Sequence, residues 1–170
     1  MSGPGASRPS GRTKQFQGKA YSLNYPDNWQ TFGEQDAPAV TIAPREGVIT
    51  DARGQSQIGY GLMASYSLPQ GDYIDIARDT ENLVQQLLKS NANMRRASDP
   101  QRSIVVAGQK GLTTILESQS PFPGEVEVDM LVTVPRPEGL FYVVLIAPRS
   151  EWSGVQRTFD DIVKSIRFPN

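Results

Sequence analysis

EVDMLVTVPRPEGLFYVVLIAP, residues 127–148, is two β-type runs divided by the turn-forming stretch PRPEG. Its second half is the longest apolar run in the chain, yet it is under half of the roughly 20 residues a spanning helix needs. Its β-branched and aromatic side chains suit a buried strand. Two more runs of this kind, RSIVVAG (102–108) and KGLTTILES (110–118), precede it, set off by SDPQ and SPFPGE. Strands in succession joined by short turns predict an antiparallel meander.

The meander is flanked by two stretches of helical period. In GDYIDIARDTENLVQQLLKSN (71–91), Tyr73, Ile76, Ala77, Thr80, Leu83, Val84, Leu87 and Leu88 fall on one stripe, with Asp72 placed as N-cap. In SEWSGVQRTFDDIVKSIRF (150–168), Trp152, Val155, Phe159, Ile162, Val163 and Ile166 form the stripe and Ser150 is placed as cap. Before the first helix, KAYSLNY (19–25) alternates, so Tyr21, Leu23 and Tyr25 should face a core. Pro26 fixes its own φ and pushes Tyr25 toward extended geometry, and Asp27 and Asn28 form turns, so the chain should reverse and set Trp29 over the core's end. Further strands are expected in AVTIAP (39–44) and SQIGYGLMASYSL (56–68), with REGVITDARGQ (45–55) as an exposed loop. The sum is an α+β fold, an antiparallel sheet flanked by helices. Residues 1–15, rich in Gly, Ser and Pro and without a signal peptide's apolar core, read as a flexible linker or expression tail before one domain over 16–170.

Composition excludes more than it assigns. The 170-residue chain has neither Cys nor His, which removes disulfides, thiolate metal sites and the commonest general base. A net charge of −1 gives no overall field toward nucleic acid or an anionic membrane. GYGLMA (59–64) fits a dinucleotide fingerprint only formally, because β-type alternation continues where the motif needs a helix to open. A strand bulge or close backbone packing is expected there instead. Glu125, Glu127 and Asp129, at every second position, should project together from a solvated strand face. Such a ladder suits a basic protein partner, and three carboxylates are also the chemistry of Ca²⁺ or Mg²⁺. The reading taken is partner binding, with no metal, cofactor or nucleic acid.

FQGKAYSLNYPDNW, QLLKSNANM, FYVVLIAP and FDDIVKSIRF together resemble the PsbP-like and Mog-type α/β/α sandwich family, over residues 16–168. More narrowly, YPDNW, VTIAPREG, IGYG, SNANMR and RPEGLFYVVLIAP resemble the domain C-terminal to the catalytic domain of some bacterial HtpX-like zinc metallopeptidases. The peptidase motif His-Glu-x-x-His is missing, as it must be in a chain without His. The resemblance implies a non-catalytic accessory domain that meets a protein partner or a peptidase substrate, extracytoplasmic or membrane-associated through a parent protein. In Mog-type proteins acidic surface recurs in partner binding, which would give Glu125, Glu127 and Asp129 that role, with Tyr25, Pro26 and Trp29 structural. A second reading is a small-ligand carrier whose pocket, between sheet and helix, is lined by Tyr and Trp. A third is a hydrolase working with carboxylates alone.

Overall fold

The computed structural model describes residues 4–33, 38–68 and 71–169. Its strands are β1 (Thr13–Gln17), β2 (Ser22–Pro26), β3 (Gln30–Phe32), β4 (Val40–Ala43), β5 (Val48–Thr50), β6 (Ser56–Ile58), β7 (Gly61–Ser67), β8 (Arg95–Val106), β9 (Gln109–Gln119), β10 (Val126–Arg136) and β11 (Gly139–Pro148). The helices are α1 (Ile76–Ser90) and α2 (Arg149–Ser165). Seven strands form one antiparallel sheet in the order β3-β4-β7-β11-β10-β9-β8, so the expected meander is its larger part. The α+β class stands.

The quoted stretch is the hinge of this architecture. β11 lies at the middle of the sheet, and its side chains alternate between two cores. Phe141, Val143, Leu145 and Ala147 enter the core under α2, while Leu140, Val144 and Ile146 enter the core under α1. A strand buried on both faces reads as a continuous apolar run, which is why the pattern near residue 140 shows no polar alternation. On the α2 side the β1–β2 hairpin adds Phe16, Tyr21, Leu23 and Tyr25 to the same core. Tyr21, Leu23 and Tyr25 are buried as their alternation predicts. The chain reverses after Pro26, with the Trp29 amide donating to the Pro26 carbonyl at 3.0 Å, and Trp29 is fully buried.

Several local expectations differ from the fold. α1 starts three residues later than expected: Asp75, not Asp72, is the N-cap, its side chain accepting from the Arg78 amide at 2.9 Å. Tyr73 is therefore outside the helix and exposed, and Ala77 also faces solvent. Ser150 does not cap α2, which begins at Arg149 after Pro148; its hydroxyl donates to the Glu125 carboxylate instead. SQIGYGLMASYSL is two strands, because the chain bends at Gly59 and Tyr60, and REGVITDARGQ contributes β5, which pairs with β6. SDPQ lies within β8, whose register against β9 shifts between Arg96 and Gln101.

The opening residues make contacts of their own with the rest of the fold. Residues 1–3 lie outside the described residues, but 4–7 form a short 3₁₀ helix and 13–17 are β1. The Ser7 carbonyl accepts from Trp29 Nε1 at 3.1 Å, and Arg8 forks onto Glu151 of α2 at 2.9 and 3.0 Å. A buried indole N–H needs an acceptor, and this segment supplies it, which its composition does not reveal.

Candidate functional site

The carboxylate ladder is split by the fold. Glu125 precedes β10 at a turn, partly buried and engaged by Ser150. Glu127 and Asp129 lie on the β10 face that carries Leu131, toward α1, and are only 8% and 4% exposed. The expected solvated face is thus a covered one. Alternation of carboxylates with apolar residues was read as one-sided burial, but Val128 and Met130 fill the α2 side while α1 closes the other.

Asp129 stands between Leu116 of β9 and Ile146 of β11, both buried, so its carboxyl is stripped of water by apolar neighbours. Ser118 donates to Glu127 Oε2 at 3.3 Å, and Asp129 Oδ1 is buried without a hydrogen-bond partner. Desolvation pushes both carboxyls above the usual carboxylate range, and for Asp129 the hydrogen bond with Glu127 and its charge push further the same way. Two such groups titrate in steps that belong to the pair rather than to either residue alone. Among the described residues no group of three or more carboxylates could hold a metal ion.

Beside this pair a groove of about 310 Å³ is lined by Gln57, Asn91, Asn93, Ser118, Gln119 and Ser120, with Ala92 and Pro121. Ser118 belongs to both, so the groove touches the pair through one hydroxyl. Its amides and hydroxyls can hydrogen-bond, but no titratable side chain lines it, so it can hold a ligand without acid–base chemistry. The aromatic-lined pocket between sheet and helix is not where Trp and Tyr go. Trp29 meets Tyr60 and Phe159 edge-on at ring-centroid separations of 6.1 and 6.4 Å, and Tyr21, Tyr66, Phe141 and Phe168 form a second cluster. These rings fill one another's space.

GYGLMA behaves as backbone packing. At Gly61, φ is +149°, and a Cβ there would stand 2.7 Å from the Ile42 carbonyl oxygen. Sequence reasoning missed a different feature: Arg136 of β10 joins Lys164, Arg167 and Phe168 in one groove, where the chain after α2 pairs with β2 through Ser22 and Arg167. Lys164, Arg167 and Phe168 are local in KSIRF, but nothing in the sequence places Arg136 beside them.

The sequence matches no family model, and no curated protein matches it in sequence either. Solved structures do resemble it. The solution structure of cyanobacterial PsbP (CyanoP) from Synechocystis sp. PCC 6803 superposes with a TM-score of 0.62 at 13% identity, covering 98% of this chain and 100% of that one. The Ran-binding protein Mog1p of Saccharomyces cerevisiae gives 0.57 at 12%, covering 92% and 95%. LpqN, involved in cell envelope biogenesis of Mycobacterium tuberculosis, gives 0.51 at 17%, covering 96% and 90%. At such identities the likeness is one of fold, and the fold of this chain is the PsbP/Mog-type α/β/α sandwich.

Proposed function

We propose that this chain is a non-catalytic protein-interaction domain serving a larger protein. The observation that carries the reading is the burial of Glu127 and Asp129. These two carboxyls, the acidic groups a carboxylate-only hydrolase would draw on here, are buried in the fold rather than displayed in an open cleft. The shared fold with a protein described as Ran-binding supports interaction over turnover. A partner can reach Glu125 without moving α1; Glu127 and Asp129 it cannot.

The larger protein is a zinc metallopeptidase of the HtpX-like type, a reading that rests on YPDNW, VTIAPREG and RPEGLFYVVLIAP. The domain then acts by raising the local concentration of a partner or substrate near the catalytic unit. Purified protein should turn over no peptide, ester or glycoside substrate, and a turnover that disappears in Glu127→Gln would overturn the non-catalytic reading. Cross-linking in the source cell should recover the same partner with the wild type and lose it when the domain is deleted; recovery of none would overturn the interaction reading. A reading frame upstream that encodes His-Glu-x-x-His would identify the parent as a peptidase, and one without it would remove that assignment.

A further inference from the structure

Three cations meet at the C-terminal end of α2 in a groove of about 730 Å³ lined by Arg136, Lys164, Arg167, Gln109, Val105 and Phe168, among others. Two of them are held in place. The Arg136 guanidinium lies 4.3 Å from the centroid of the Phe168 ring, and its side chain is 13% exposed. With the Gln109 amide nitrogen turned to donate to the Pro135 carbonyl at 2.9 Å, the Gln109 oxygen accepts from Arg136 Nη1 at 2.7 Å. Arg167 Nη1 donates to the carbonyls of Lys164 and Ile166, at 2.7 Å each, where the helix ends. Lys164 is exposed and has no ion pair among the described residues. Among the described residues the one ion pair in the cluster is Glu138 Oε2 to Arg136 Nε at 3.9 Å, which leaves Lys164 and Arg167 without a carboxylate partner.

The opposite wall is the β8–β9 hairpin tip. Ala107 and Gly108, with φ of +50° and +80°, make the tight two-residue turn that suits strand twist. Just before it Val105 is 68% exposed, an apolar rim beside the cations. Guanidinium groups oriented before binding lose little freedom when they meet a carboxylate, and Arg offers that ligand a planar fork.

We propose that this groove binds an acidic polypeptide segment carrying apolar side chains, its carboxylates on Arg136, Lys164 and Arg167 and an apolar group against Val105. The proposal rests on the interaction reading above and names the partner's chemistry: acidic, where the sequence ladder had suggested basic. The apolar rim and the chain's net charge of −1 favour such a segment over a nucleic acid.

The test is fluorescence anisotropy with a labelled peptide of alternating Glu and Leu, and with alternating Gln and Leu and single-stranded RNA as comparators. The Glu peptide should bind, weaken as salt rises, and lose on the order of tenfold in affinity with Lys164→Glu. Lys89→Glu, the same charge change at the exposed end of α1, should lose little. Unfolding midpoints matching the wild type would establish that both variants fold. Equal losses in the two variants, equal binding of the Gln peptide, tighter binding of RNA, or no binding of the Glu peptide would each overturn the groove. A chain that fails here while cross-linking still recovers its partner loses this site and keeps the interaction reading.

Discussion

Under α2 the sheet is sealed chiefly by rings, and under α1 by aliphatic side chains with polar groups buried among them. Trp29, Tyr60, Tyr21, Phe141 and Phe159 belong to the first core, and Leu83, Val84, Leu116, Leu131 and Leu140 to the second. The first is closed by α2 together with β1 and β2. The second is closed by α1 over β9, β10 and β11, so Phe32 and Met63, on the same face toward the β3 edge, stay exposed. The second core also contains Glu127 and Asp129, with Thr80 of α1 hydrogen-bonded to Thr133 of β10 at 2.8 Å. One face is built for stability, and the other tolerates groups that cost stability.

The strongest way to break this contrast is Trp29→Ala. Its ring is fully buried and its Nε1 holds the Ser7 carbonyl, so truncation leaves a cavity and an unpaired acceptor. A loss of about 3–5 kcal/mol in denaturant unfolding is expected. A loss under 1 kcal/mol would show that the rings do not close the α2 side.

The coverage of the second face is sharpened by a pair of truncations. Leu131→Ala empties a fully buried position beneath α1 and should cost about 2–4 kcal/mol. Met63→Ala, 38% exposed beyond the helix, should cost less than about 1 kcal/mol. Equal losses in urea titrations would mean that α1's cover is no better than open solvent.

The buried carboxyls make the contrast depend on pH. Because burial raises the native pKa of Asp129, the unfolded state ionises first, and the native state then holds the extra proton. The associated loss of stability is absent below about pH 4, where both states are protonated, and grows as pH rises from there toward the raised native value. Asp129→Asn should therefore gain about 1–2 kcal/mol over the wild type at pH 8 and nothing at pH 4. Thermal melts across this range would contradict the buried-pair account if the difference were flat.

What was legible in the sequence follows the same division. Tyr21, Leu23, Tyr25 and Trp29 announced their burial through alternation and a proline turn, signals local in the chain. The four-strand meander and both helices were equally local. The ladder misled because period 2 tells which residues share a face but not whether a helix 40 residues upstream covers it. The strands β1 and β3 were missed because their exposed polar residues carry little apolar period. The cationic groove is assembled from β10, the end of α2 and the chain beyond it, so only tertiary structure could bring it together.

The smallest effect tests α2 itself, the helix that closes the ring-filled face. Gly154 sits in its first half on the exposed side, two residues after Trp152 and one before the buried Val155. A Cβ placed there meets no atom within 4 Å, and its φ is not in the left-handed region, so the native backbone accepts alanine without strain. Glycine in an exposed helix interior still costs about 0.5–1 kcal/mol relative to alanine, because the unfolded chain gives up more freedom. Gly154→Ala should therefore raise stability by about that amount while leaving the groove around Lys164 unchanged. A loss of stability would mean that α2 needs the glycine for a close approach that the fold does not contain. A gain accompanied by weaker binding of the Glu peptide would mean that the helix must flex for the groove to open, and the contrast between a rigid α2 face and a permissive α1 face would fail at its firmest point.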